Sequence, residues 1–150
     1  MSNWCSQTIT FHGDQSKIEE IFLFISGEKV LFDFNTIIPI PSTVSDEGKR
    51  DWRIENWASK WDSGADEFRE GNKLGLTTAW GIPFPVYKAL SKRFPDVGIE
   101  IDYFIEGDAD CGTIKLIEGE VFYEEYICCG YVDYYMDIPE LSEFVKHNIL

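Results

Sequence analysis

Basic side chains are scarce in this sequence. Its 13 lysines and arginines face 27 aspartates and glutamates, which leaves a formal net charge of −14. A field of that sign repels phosphate backbones and anionic lipid headgroups, so nucleic-acid and membrane roles are disfavoured. Histidine is rarer still, with only His12 and His147. No apolar run approaches the ~20 residues of a membrane-spanning helix. Met1 to Thr10 lacks a basic stretch followed by an apolar one, so no secretory signal is expected. The four cysteines, Cys5, Cys111, Cys128 and Cys129, form no C-x-x-C pair, which argues against a zinc ribbon or a thioredoxin-type centre. They are expected as buried free thiols in a reducing, cytoplasmic setting. A nucleophile elbow, a phosphate loop and an H-E-x-x-H helix are missing as well. No catalytic residue, metal or cofactor is therefore assigned, and the reading leans away from an enzyme.

Acid and aromatic residues are abundant instead. From Ile99 to Leu150 the only basic side chains besides His147 are Lys115 and Lys146. The same stretch holds Glu100, Asp102, Glu118, Glu120, Glu124 and Glu125, which are the candidate residues for docking a basic protein partner. The plainer use of such charge is solubility. The aromatics suit a core of large side chains, or a surface pocket lined by rings.

The pattern along the chain predicts one α+β domain over residues 1–150, with antiparallel strands. Asn3 to His12 alternates, with Trp4, Ser6, Thr8 and Thr10 on one side and Cys5, Ile9 and Phe11 on the other. Ser16 and Glu19 have capping-box spacing, and Ile18, Ile21, Phe22 and Ile25 make a helical stripe. A helix is expected over Asp51 to Trp61, then a charged excursion over Asp62 to Lys73. Leu74 to Trp80 reads as a strand, and Pro83 or Pro85 starts a helix with Val86, Ala89 and Leu90 inward. Gly98 to Glu106 is the clearest strand, followed by strands at Thr113 to Ile117 and Val121 to Ile127 joined by turns too short for crossovers. Tyr131 to Met136 extends the sheet, and a helix begins at Pro139. The order points to a split-βαβ sheet with helices on one face. A helical insertion is expected over about 35–73, and a strand–helix extension over about 120–150.

The segments Asn3-Trp4-Cys5, Phe34-Asn35-Thr36-Ile37-Ile38-Pro39-Ile40-Pro41, Glu55 to Asp62 and Thr78-Ala79-Trp80-Gly81-Ile82-Pro83-Phe84-Pro85 occur in that order, followed by Leu90 to Pro95. In this the chain resembles the YubB-like ferredoxin-like family of phage and plasmid proteins, over about Asn3 to Glu118. The resemblance implies a ferredoxin-like fold and a mobile-element setting. It implies no activity and supplies no catalytic residues.

A second candidate site gathers Asn56, Trp57, Lys60, Trp61, Asp62 and Trp80. If residues 51–61 are helical, Asn56 and Lys60 share a face one turn apart, and the indoles wall a small polar pocket for an anionic group. Against this, an aromatic stripe at helical spacing is ordinary core. The turn Glu106-Gly107-Asp108-Ala109-Asp110 sets three carboxylates at alternate positions, but it fits a solvated hairpin tip better than a calcium loop. Cys5 and His12 lie on opposite faces of one strand and cannot form a dyad there. Homo-oligomer formation through an open sheet edge fits either function and is checked by light scattering.

Overall fold

The computed structural model describes residues 3–107 and 110–128, apart from the side chains of Ile127 and Cys128. The expected strand at Tyr131 to Met136 and the helix from Pro139 lie outside the described residues, as does part of the Glu106–Asp110 turn.

Among the described residues, six strands and four helices follow in the order β1 (Trp4–His12), α1 (Gln15–Ile25), α2 (Phe34–Ile37), α3 (Lys49–Trp57), β2 (Ala65–Glu70), β3 (Lys73–Ala79), α4 (Phe84–Arg93), β4 (Gly98–Ile105), β5 (Asp110–Ile117) and β6 (Glu120–Cys128). The strands form one sheet in the order β2-β3-β1-β4-β5-β6. Every neighbouring pair is antiparallel. β1 and β2 therefore point the same way with β3 between them, and β3 and β4 do so with β1 between them.

Strand alternation decides what the sheet buries. Cys5, Ile9 and Phe11 of β1 and Ile99 and Ile101 of β4 are buried, as the alternation of those segments predicts. They join Ile18, Ile21, Phe22 and Ile25 of α1, Trp57 of α3 and Val86, Tyr87 and Leu90 of α4 in one core. Ala89, expected inward, is only partly buried; Tyr87 takes the inward place.

Local chemistry moves three boundaries. α1 starts before the expected capping box, because Asp14 is the N-cap and its carbonyl accepts from Lys17 and Ile18 N–H. α3 stops at Trp57, where Ala58 turns left-handed with φ 55°; such a residue ends a helix because it cannot continue the right-handed ladder. The Asp62–Lys73 segment contains the edge strand β2 rather than only a loop. Charge concealed it: an edge strand wets one rim and carries charged side chains without cost.

β2 is tied to the chain before α2. Glu67 accepts from Leu31 N–H at 3.2 Å and Phe32 N–H at 2.8 Å. Burial pushes the Glu67 carboxyl above its ordinary range, although the two N–H donors oppose this. The folded state thus holds this proton more tightly than the unfolded chain. That contribution to stability is complete below the ordinary glutamate range and is lost as pH rises through the raised value. Urea unfolding of Glu67→Gln should lack this part of the pH dependence; an unchanged profile would remove Glu67 from the explanation.

A polar chain runs through the core. Tyr87 donates its hydroxyl to Gln7 Oε1, Gln7 Nε2 donates to Thr78 Oγ1 at 2.6 Å, and the Thr78 hydroxyl donates to the Gly81 carbonyl at 2.5 Å. Tyr87→Phe strands a buried oxygen on Gln7. The expected cost is about 1–3 kcal/mol, read by urea unfolding. A loss below ~0.5 kcal/mol would mean Gln7 finds another donor.

Candidate functional site

The Trp-rich candidate site is only partly assembled. Trp57 is fully buried, and its indole N–H donates to the Ile38 carbonyl at 2.9 Å. Asn56 donates to the Trp52 carbonyl of its own helix at 2.9 Å. Because α3 ends at Trp57, Lys60 lies past the helix and shares no helical face with Asn56. Lys60 instead places Nζ 4.8 Å from the Trp80 ring centroid, and Trp61 packs on Trp4 with centroids 5.3 Å apart. Lys60, Trp61 and Trp80 thus gather with Trp4, which the sequence places in a strand but not in this group. Trp4 and Trp80 are 42% and 43% exposed, so the cluster is a surface feature at the end of the sheet where β1 begins and β3 stops.

Asp62 belongs elsewhere. It lines a polar hollow of about 500 Å³ with Asp33, Asn35, Asp46, Lys49 and Arg53. Much of this hollow is engaged in shaping its own loop. Lys49 pairs with Asp46 at 2.8 Å, Arg53 Nε donates to the Lys60 carbonyl at 2.8 Å, and Asn35 Oδ1 accepts from Ile40 N–H at 2.8 Å.

The other candidate surface is the side of the sheet that faces away from the core. No described helix lies on it. Directly paired residues share a face, so the register defines cross-strand rows there. One row runs Glu70–Lys73–Thr10–Glu100–Lys115–Tyr123. Its charges alternate, and Glu100 sits 3.3 Å from Lys115 and 3.8 Å from His12. Lys115 Nζ in turn lies 4.8 Å from the Tyr123 ring centroid. The adjacent row runs Phe68–Gly75–Thr8–Asp102–Thr113–Glu125 and contains no basic residue. Asp102 Oδ1 accepts from the Thr113 hydroxyl at 2.5 Å, and Tyr123 donates its hydroxyl to Glu125 Oε2 at 2.8 Å. A hollow of about 250 Å³ opens over this second row, lined by Ser6, Thr8, Asp66, Phe68, Thr77 and Asp102.

The six candidate docking acids divide accordingly. Glu100, Asp102 and Glu125 share the outward face. Glu124 pairs with Ile114 and lies on the core side of β6, where its charge helps raise the Tyr103 hydroxyl, after burial. Glu118 and Glu120 flank Gly119 at the β5–β6 turn. Sequence reasoning missed Asp66 and Phe68 because it missed β2, and it did not single out Thr8 or Thr113.

Neither Cys5 nor Cys111 is a reactive thiol. Burial pushes the Cys5 thiol up to about 12, so at neutral pH it is an inert thiol. His12 stands at the far end of β1, beside Glu100. Cys111 is disulfide-bonded, which corrects the expectation of free thiols for that residue. Its spacing carried no signal of pairing. Among the described residues no group of three or more His, Cys, Asp or Glu side chains is placed to hold a metal ion. No described helix is long and apolar enough to cross a membrane.

The sheet order and the four helices define a ferredoxin-like α+β domain. The chain belongs to the family described as the ferredoxin-like domain in Api92-like protein, whose model matches residues 56–137. Among solved structures it is similar to the crystal structure of a protein api92 from Yersinia pseudotuberculosis, with a TM-score of 0.50 and 18% identity. The likeness takes in 63% of this chain and 39% of that one. At that identity it speaks for the fold alone. No curated protein matches the chain.

Proposed function

We propose that this protein is a non-enzymatic interaction domain that docks a basic protein segment on the outward face of its sheet. The supporting observation is the row Phe68–Gly75–Thr8–Asp102–Thr113–Glu125, which carries carboxylates and no base. A net charge of −14 steers a cationic partner toward the protein. Glu100, Asp102 and Glu125 make the contact face in this reading, while Glu118, Glu120 and Glu124 add longer-range attraction. The same reading places the domain in the cytoplasm of a cell carrying a phage or plasmid, following the YubB-like resemblance. It also takes the sheet as a split-βαβ arrangement with α2 and α3 as a helical insertion.

Fluorescence anisotropy with a labelled lysine- and arginine-rich peptide tests it. Between ~0.1 M and ~1 M salt the screening length falls from ~10 Å to ~3 Å, so affinity should drop steeply. Binding that ignores salt, or no binding at all, contradicts the reading.

A second reading, small-ligand binding, is favoured by the convergence of Trp4, Trp61 and Trp80 around Lys60. Lys60→Ala would abolish capture of an anionic aromatic ligand there. It ranks lower because Trp57 is buried in the core and Asn56 bonds the Trp52 carbonyl of its own helix.

A further inference from the structure

We infer that the hollow over the second row is the seat for one arginine side chain of the basic partner. The inference rests on the docking reading and adds to it a place and a side-chain chemistry. The residues define an ordered sequence across the sheet. At one end, β2 shifts register between Ala65 and Phe68, and Asp66 takes a left-handed backbone with φ 51°. This leaves Phe68 opposite Gly75, and its ring lies where a side chain on Gly75 would stand. Gly75 thereby lets the phenyl lean across β3 toward β1, and Phe68 stays 52% exposed. Thr8 forms the floor next in the row, and Asp102 stands beyond it on β4. Ring and carboxylate are thus set about two strand spacings apart, or ~10 Å.

That separation suits a guanidinium lying over Thr8. Its planar face stacks on a ring while its fixed N–H fork meets a carboxylate and hydroxyl acceptors. Asp102 is oriented by Thr113, which donates to Oδ1 at 2.5 Å, and a carboxylate has about four acceptor positions in all. Asp66, Ser6 and Thr77 add one more carboxylate and two hydroxyls to a lining that also takes in Gln7 and Leu76. A lysine ammonium offers no plane to stack and reaches fewer of these groups at once. Residues 129–150 hold Asp133, Asp137, Glu140 and Glu143 against Lys146 and His147, so that segment is net negative like the hollow. Charge complementarity therefore favours a separate basic partner over this tail.

The test uses the full chain and two labelled peptides, identical except that a single arginine set between lysines is replaced by citrulline, its neutral isostere. Wild-type protein should bind the arginine peptide about tenfold more tightly. Asp102→Asn keeps an oxygen for Thr113 while removing the charge, and it should reduce that preference to about twofold or less. Phe68→Ala removes the ring at an exposed position and should likewise shrink the preference, which covers the case in which Asp102→Asn folds poorly. If the preference is the same in wild type and both variants, the hollow is not the arginine seat, although salt-sensitive binding would leave the docking face standing. If neither peptide binds wild-type protein at any salt concentration, both readings fall together.

Discussion

Trp57→Ala should destabilise the fold by about 3–5 kcal/mol, the range for emptying a large aromatic from a packed core. The side chain is fully buried and makes edge contacts with Phe34, at 6.0 Å between centroids, and Trp52, at 5.4 Å. It also donates to the Ile38 carbonyl, so its removal leaves that acceptor without its indole partner and a cavity beside it. Domains of this size are stable by only about 5–15 kcal/mol; the variant should therefore unfold at a much lower urea concentration. Trp61→Ala is the natural comparison, because Trp61 lies on the surface cluster with Trp4. Its cost should be at most about 1 kcal/mol. Equal losses in the two variants would show that the division between core tryptophan and surface tryptophans is wrong.

The largest functional effect is expected from charge on the outward sheet face. Neutralising Glu100, Asp102 and Glu125 together, to Gln, Asn and Gln, should weaken a basic peptide about tenfold at low salt. Exposed ion pairs contribute ~0.2–1 kcal/mol each, and tenfold is ~1.4 kcal/mol. Glu118, Glu120 and Glu124 neutralised together remove the same formal charge from the β5–β6 turn and the core side of β6. Their loss should cost about threefold or less, through longer-range attraction alone. Isothermal titration of both triple variants separates local contact from bulk charge. Equal effects would reduce the docking face to a nonspecific field, and a larger effect of the second triple would move the contact to the turn.

The fold was readable where side-chain period and burial agree. β1 and β4 each bury alternate residues against the helices, and α1 shows its stripe at Ile18, Ile21, Phe22 and Ile25. β2 was not readable, because Ala65 to Glu70 pairs on one side only and is mostly charged. The end of α3 was also hidden: Trp57 and Trp61 have helical spacing, and only the left-handed turn at Ala58 shows that the second indole leaves the helix. The same turn undid the expected Asn56–Lys60 pair.

For the candidate docking acids, sequence could count carboxylates but not assign their faces. Glu124 and Glu125 are adjacent, so a strand sends them to opposite sides. Glu100 and Asp102 share a face but differ in neighbours, because cross-strand register gives Lys115 to Glu100 and Thr113 to Asp102. That difference depends on pairings between distant segments, which no local pattern encodes. Gly75 is similar: only its register opposite Phe68 explains why a side chain there would collide with the ring.

In the proposed docking mode a cationic segment lies on the outward face of the sheet. The most direct measurement is backbone amide chemical-shift mapping of the full chain during titration with the arginine-containing peptide. Shifts should centre on Thr8, Gly75, Asp102, Thr113 and Glu125, with α1 from Gln15 to Ile25 unmoved. Shifts confined to α1 and α4, or to Trp4, Lys60, Trp61 and Trp80, would contradict that docking mode.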